Sequence, residues 1–164
     1  MELMNPSIPG GNIPVDNMDD EDYIGPSARC VLFTLENETY GIHVKKIREV
    51  LRVGNIRKVA GADYNVLGII NVRGVIVTVV DTRTMNGMPK KEVDDLSRII
   101  IVELDDERTV GMLVDFVMEV KDIPENKIEA LSSSRGDQSS KYIQGIAHYQ
   151  DNIIILIDVD NLFD

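Results

Sequence analysis

Thr39-Tyr40-Gly41-Ile42-His43-Val44-Lys45-Lys46-Ile47-Arg48-Glu49-Val50 returns later in the chain as Thr109-Val110-Gly111-Met112-Leu113-Val114-Asp115-Phe116-Val117-Met118-Glu119-Val120, with every position raised by 70. Thr, Gly, Val, Glu and Val recur in place, and Ile47 is answered by Val117. Taken alone, residues 44–53 are ambiguous. Val44, Ile47 and Leu51 fit a helical stripe, whereas Ile47, Glu49, Leu51 and Val53 share one face of a strand. The second copy is strongly β-branched over the same span, which favours one turn followed by a strand in both copies. Each copy is preceded by an apolar run that ends in an acidic turn, Leu35-Glu36-Asn37-Glu38 and Leu104-Asp105-Asp106-Glu107. Downstream the correspondence continues with an offset of 77: Gly68-Ile69 matches Gly145-Ile146, and 75–81 matches 152–158. Internal self-similarity of this kind points to two diverged copies of one small unit, near 28–88 and 98–164. A unit of about 60 residues is marginal alone, so the halves are expected to pack through an apolar seam.

Outside the ambiguous span the pattern is of short β-branched runs separated by turn residues. Strands are expected at 30–35, 38–43, 75–80, 98–104, 109–114, 116–121, 142–148 and 152–157, with turns at or near Asn37, Gly54-Asn55, Gly87, Asp105-Asp106, Gly136-Asp137 and Asp151-Asn152. Many short strands at this spacing indicate barrels or sandwiches rather than a parallel sheet with crossover helices. Helix is confined to a turn at 84–88 and a short terminal helix over 158–163 that begins at an acidic cap. Residues 1–27 differ from the rest: they hold four of the six prolines, six acidic residues and no Lys or Arg, and read as a flexible, solubilising acidic tail.

The formal net charge of -11 disfavours nucleic acid, because phosphate binding needs a basic stripe that the chain lacks. Cys30 is the single cysteine, so no intrachain disulfide forms, and its apolar setting in Cys30-Val31-Leu32-Phe33 marks a buried thiol suited to a reducing compartment. The longest aliphatic runs fall far short of the ~20 residues of a membrane helix, and no signal peptide opens the chain. A soluble, cytoplasmic protein is expected. His43 and His148 have no metal-ligand spacing with each other or with Cys30. A Cys30–His43 nucleophile pair is conceivable, but Cys30 reads as core. Asp81 and Asp158, strand-terminal in both halves, read as caps rather than as an acid pair. No catalytic constellation emerges, and an enzyme is not expected.

The two copies part at one place. Asn71-Val72-Arg73-Gly74 in the first half faces His148-Tyr149-Gln150-Asp151 in the second. Gly74 permits a tight turn, the Asn71 side chain can bond nearby backbone and fix the loop, and Arg73 at the tip presents a planar donor fork suited to carboxylates. Glu49 is the evident intramolecular partner. Drift would leave the same asymmetry, but a tetrapeptide kept in one copy suggests a task peculiar to that half.

These residues carry a family resemblance. Tyr40-Gly41-Ile42, Ile47-Arg48-Glu49-Val50 and the run from Val66 to Asp81, continued by Val114-Asp115, Tyr142-Ile143-Gln144-Gly145 and Ile154 to Ile157, resemble the CheW family of bacterial chemotaxis coupling proteins over residues 28–164. The resemblance implies an all-β fold of two five-stranded SH3-like barrels packed as a pseudo-repeat, with strand exchange between the subdomains left open. It implies a non-enzymatic scaffold without a cofactor. Such a scaffold couples the histidine kinase CheA, whose regulatory domain shares the fold, to the cytoplasmic tips of transmembrane chemoreceptors, without inserting into the membrane itself. The alternative is the same kind of module serving another phosphorelay, in surface motility or development. The family's partner contacts fall on Ile47, Glu49, Gly68 and Arg73, with Asn71 and Gly74 shaping the loop. Ile99 and Val120 are candidates for a receptor groove between the barrels. Ile47, Ile99 and Val120 could equally be core, and Gly68 could serve backbone geometry. Two departures stand out. Ala60 and Asp63 replace prolines common before the Arg loop, and His43 replaces an expected Asp or Asn.

Overall fold

The ambiguous span is one 3-10 turn, Val44–Lys46, running straight into a strand, Ile47–Arg52, so the β-branched second copy was the better guide to both. The computed structural model describes residues 25–131 and 142–164. Most of the acidic tail and the turn expected at Gly136-Asp137 lie outside the described residues. Along the chain run β1 (Ser27–Leu35), β2 (Glu38–His43), the 3-10 turn, β3 (Ile47–Arg52), β4 (Val66–Val72), β5 (Val75–Asp81) and α1 (Thr82–Met85). They are followed by β6 (Arg98–Glu103), β7 (Thr109–Val114), β8 (Phe116–Pro124), a second 3-10 turn (Glu125–Lys127), β9 (Ile128–Ala130), β10 (Ile143–Tyr149), β11 (Asn152–Ile157) and α2 (Val159–Leu162). Asp81 and Asp158 cap the two helices: each carboxylate accepts from backbone N–H groups of the first turn.

The strands form two sheets, ordered β8-β1-β2-β11-β10-β9 and β3-β6-β7-β5-β4. All neighbours are antiparallel except β2 with β11 and β5 with β7. Each sheet curls into an SH3-like barrel. In the first, β8 continues through the 3-10 turn into β9, which pairs with β10 and closes the barrel. In the second, the corresponding closure is a single bridge between Arg57 and Ile69. The five-stranded expectation therefore describes the second sheet, and the first gains only the three-residue β9.

The sheets do not divide where the repeat divides. The β1–β2 hairpin, from the first half of the sequence, pairs with β8 and β11 of the second half. The β6–β7 hairpin, from the second half, pairs with β3 and β5 of the first. Each copy thus lends its leading hairpin to the other copy's barrel. The parallel pairs follow from this exchange.

The exchange also accounts for the two continuous apolar runs at residues 30–33 and 99–102. A strand with one wet face alternates, whereas a strand covered on both faces need not. Cys30 and Leu32 point into the first barrel with Ile123, Ala147, Ile154 and Leu156. Phe33 and Leu35 point the other way, into a seam with Tyr40, Ile42, Ile100, Val102, Met112 and Val114. Ile99 and Ile101 fill the second barrel with Val77, Val79 and Leu113. The lent hairpins are therefore the layer between the barrels, and the apolar seam is built from both. Burial of each large aliphatic or aromatic side chain there contributes roughly 1.5–3 kcal/mol.

Candidate partner-binding site

Val72 pairs with Val75 across the β4–β5 hairpin, so Arg73 and Gly74 form a two-residue loop. Both have positive φ, 49° and 87°, as a type I′ turn requires. The Asn71 side-chain oxygen accepts from the Gly74 N–H at 2.8 Å and fixes the loop, as its sequence suggested. The matched hairpin in the other barrel is a direct comparison. Tyr149 pairs with Asn152, and Gln150 and Asp151 take φ values of 51° and 64°. The same turn is thus made without Arg or Gly. Turn geometry does not call for Arg73, and a non-glycine residue in the left-handed region costs roughly 1–2 kcal/mol.

The Arg73 guanidinium donates to the Glu49 carboxylate on β3, across the closure of the second barrel. The Arg73 side chain remains 74% exposed, against 25% for Glu49. An ion pair this open contributes about 0–1 kcal/mol to folding. Glu49 holds the fork in place while most of its surface faces solvent. Beside the turn, Val75 and Ile76 on β5 and Val50 on β3 expose apolar surface. Ile47, half-buried at the start of β3, packs against the seam.

Val120 lies on the other barrel. Phe116 and Met118 are also exposed on β8, but the β1–β8 register slips beside Met118, so Val120, opposite Val31, and Phe116, opposite Thr34, fall on opposite faces and form no single stripe. The charged Arg73 tip with its aliphatic shoulder thus lies on one barrel, and exposed apolar residues of β8 lie on the other.

Two expected contact residues are placed differently. Ile99 is 0% exposed in the middle of the second barrel's core, so a partner reaches it only by opening that barrel; its side chain is core, not groove. Gly68 is buried, with φ at 150°, and a Cβ on it would lie 2.1 Å from the Arg57 carbonyl oxygen. It is glycine so that β4 can bulge and let Arg57 and Ile69 exchange backbone hydrogen bonds of 2.9 and 2.8 Å. Its counterpart Gly145 stands at the same bulge beside Glu129.

The chemistry-bearing residues are engaged structurally. Cys30 and His43 face each other in the β1–β2 ladder, but burial pushes the Cys30 thiol up to about 11, with Asp122 adding to the effect. A thiol so placed is no nucleophile at neutral pH. His43 caps the first 3-10 turn: its Nδ1 accepts from the Lys45 N–H at 3.2 Å, the task an Asp or Asn would perform there. Desolvation, followed by the Lys45 charge, lowers the His43 pKa, while Glu125 opposes the shift. As pH falls through about 6.5, the unfolded chain takes up the proton first. His43's contribution is therefore complete above that pH and is lost below it. His43→Asn keeps an acceptor that does not titrate. Between pH 7.5 and 5, urea unfolding should show the parent losing stability relative to this variant; parallel decline would exclude His43 as the sensor. Among the described residues no group of three or more His, Cys, Asp or Glu is placed to hold a metal ion, and no helix is long and apolar enough to cross a membrane.

Residues 29–164 match the CheW-like domain family model, and the chain belongs to that family as a non-enzymatic adaptor. It is 27% identical over 132 residues to the chemotaxis protein CheW of Klebsiella aerogenes, covering 80% of this chain and 79% of that one. With the chemotaxis protein CheW of Bacillus subtilis it shares 26% over 136 residues, covering 83% and 86%. Among solved structures it resembles the scaffolding protein TtCheW of Thermoanaerobacter tengcongensis, with a TM-score of 0.76 and 35% identity over 84% of this chain and 93% of that one.

Proposed function

We propose that this adaptor couples the histidine kinase CheA to the cytoplasmic tips of chemoreceptors, working in the cytoplasm at the receptor arrays. The observation that carries this reading is the Arg73–Glu49 pair. It is exposed, it adds little to folding, and the identical turn in the other barrel does without it. The Arg73 tip with Val75 and Ile76 suits the regulatory domain of the kinase, offering a carboxylate-seeking fork beside apolar surface. The exposed Val120 on β8 suits an apolar contact with an amphipathic receptor helix laid across that strand. Two modest contacts on one chain reinforce each other through effective concentration once both partners are present. No cofactor enters this role.

The test is assembly. The full chain is mixed with the kinase and with a receptor cytoplasmic fragment from the same organism, and ternary complex and kinase activity are measured. Arg73→Glu should weaken kinase binding at least about tenfold, equivalent to about 1.4 kcal/mol, while the urea midpoint stays near that of the parent. Absence of binding to both partners by the parent would sink the proposal. Unfolding of Arg73→Glu would instead make the pair a folding element.

A further inference from the structure

The chain crosses between the two sheets twice among the described residues, at the 3-10 turn between β2 and β3 and at Asp115 between β7 and β8. Each crossing is tied by an ion cluster that nothing in the local sequence announces. At Asp115, the guanidinium of Arg83 on α1 donates through Nη1 to Asp115 Oδ2 at 2.6 Å, through Nη2 to Glu36, and through Nε to the Pro89 carbonyl at 2.9 Å. The same Asp115 oxygen accepts from the Glu36 N–H at 2.9 Å. One arginine therefore clamps the helix behind β5, the crossing residue and the β1–β2 turn, and so spans both barrels.

At the other crossing, Lys46 ends the 3-10 turn. Its Nζ donates to Asp105 in the β6–β7 turn and, at 2.5 Å, to Asp160 on α2 behind β11. Asp160 accepts in addition from the Asp105 N–H at 2.7 Å. The two clusters occupy equivalent places in the repeat, with opposite polarity. The residues on the helices, Arg83 and Asp160, are 77 positions apart, the offset of the downstream repeat. In the first cluster the helix supplies the cation and the crossing the anion; in the second these are reversed.

The clusters differ in their surroundings. Side-chain exposure is 9% for Arg83, 12% for Asp115 and 45% for Glu36, against 19% for Lys46, 25% for Asp160 and 82% for Asp105. The Lys46 cluster also borders a cavity of about 600 Å³ lined by Lys45, Glu103, Asp158 and Asp160. A guanidinium fork nine-tenths buried, with separate nitrogens on two carboxylates, resists salt and displacement better than an ammonium that shares its charge with one wet carboxylate beside open space.

We propose that the two barrels pivot on the Arg83–Asp115–Glu36 joint and part at the Lys46 joint, which makes Arg83 a positioning residue for the angle between the Arg73 tip and β8. The link to signalling rests on the adaptor reading above; the pivot itself does not.

The deciding measurement is an inter-barrel distance. Nitroxide labels on Thr78→Cys and Asn152→Cys, exposed positions on different barrels, are read by double electron–electron resonance in the full chain; the buried Cys30 stays in place. Lys46→Met should broaden the distance distribution with little change in the melting midpoint, and Lys46→Arg should restore it. Salt of about 1 M, where the screening length is about 3 Å, should broaden the unaltered chain in the same way, so the test survives a variant that fails to fold. Arg83→Lys, which keeps the charge and loses the fork, should shift the mean distance rather than only widen it. Distributions in Lys46→Met and in high salt that match the parent overturn the pivot. With partners added, Lys46→Met should lower ternary assembly while each binary affinity stays within about twofold; unchanged ternary assembly overturns the positioning role. A parent that binds neither partner defeats the adaptor reading and leaves the distance result standing.

Discussion

Gly68→Ala is expected to destabilise the fold by about 3–4 kcal/mol, a large part of the roughly 5–15 kcal/mol that holds a domain together. The added Cβ would fall 2.1 Å from the Arg57 carbonyl oxygen and 2.7 Å from its carbon, both backbone atoms that cannot swing aside. The chain would also have to hold a φ of 150° with a side chain in place, at about 1–3 kcal/mol. Relief means pulling Arg57 away from Ile69, which breaks the two hydrogen bonds that close the second barrel. Gly145→Ala is the matched comparison. Its nearest backbone contact is 2.8 Å, to Glu129, so a loss of about 1–2 kcal/mol is expected. Urea unfolding of both variants decides. A Gly68→Ala protein within about 0.5 kcal/mol of the parent would show that no such close approach exists. Partner binding by Gly68→Ala should fall only in proportion to the unfolded fraction, which distinguishes a closure residue from a contact residue.

Phe33→Ala should cost about 3–5 kcal/mol. The ring has no exposed surface, stacks on Tyr40 with centroids 5.6 Å apart, and sits in the seam rather than in either barrel. Its removal leaves a void between two bodies that share one apolar layer, so both should lose stability together. Spectroscopic reporters placed in each barrel should therefore lose signal in a single transition at a lower denaturant midpoint. Separate transitions would show that each barrel stands alone and that the seam is only a contact between them.

Much of this architecture is legible in the sequence. Repeat units show themselves as self-similarity, and the second copy settled residues 44–53 because it is strongly β-branched over the matching span, with Val114, Val117 and Val120. The acidic caps Asp81 and Asp158 and the loop around Asn71 were readable because their bonds are local. β4 was not among the expected strands. Its run Val66-Leu67-Gly68-Ile69-Ile70 does not alternate, and Gly68 looks like a break when it is in fact a bulge. The hairpin exchange was hidden for a different reason. Two diverged copies offer each hairpin two compatible barrels, and self-similarity cannot say which one it enters. Neighbouring segments are also the usual partners. Arg83 escaped notice because its carboxylates lie 47 and 32 residues away, and no local pattern marks a residue whose partners are so remote. Ile99 was offered as a groove residue on the family resemblance, and an isoleucine in a β-branched run reads alike on either face. Only the sheet order decides which face is the barrel interior.

The exchanged hairpins also set an order of events during synthesis. All five strands of the second barrel exist once Val114 has been made, whereas the first barrel waits for β8 to β11, ending at Ile157. At about 5–20 residues per second, residues 115–157 take roughly 2–9 s to appear. Throughout that interval the β1–β2 hairpin, the first among the described residues, has its sheet neighbours β8 and β11 still unmade. Bare strand edges invite pairing with neighbouring nascent chains. Ribosomes that stall or truncate in this window would release one finished barrel carrying an orphaned hairpin, so the chain's greatest exposure to misassembly falls late in its translation, after the second barrel is complete and before the first.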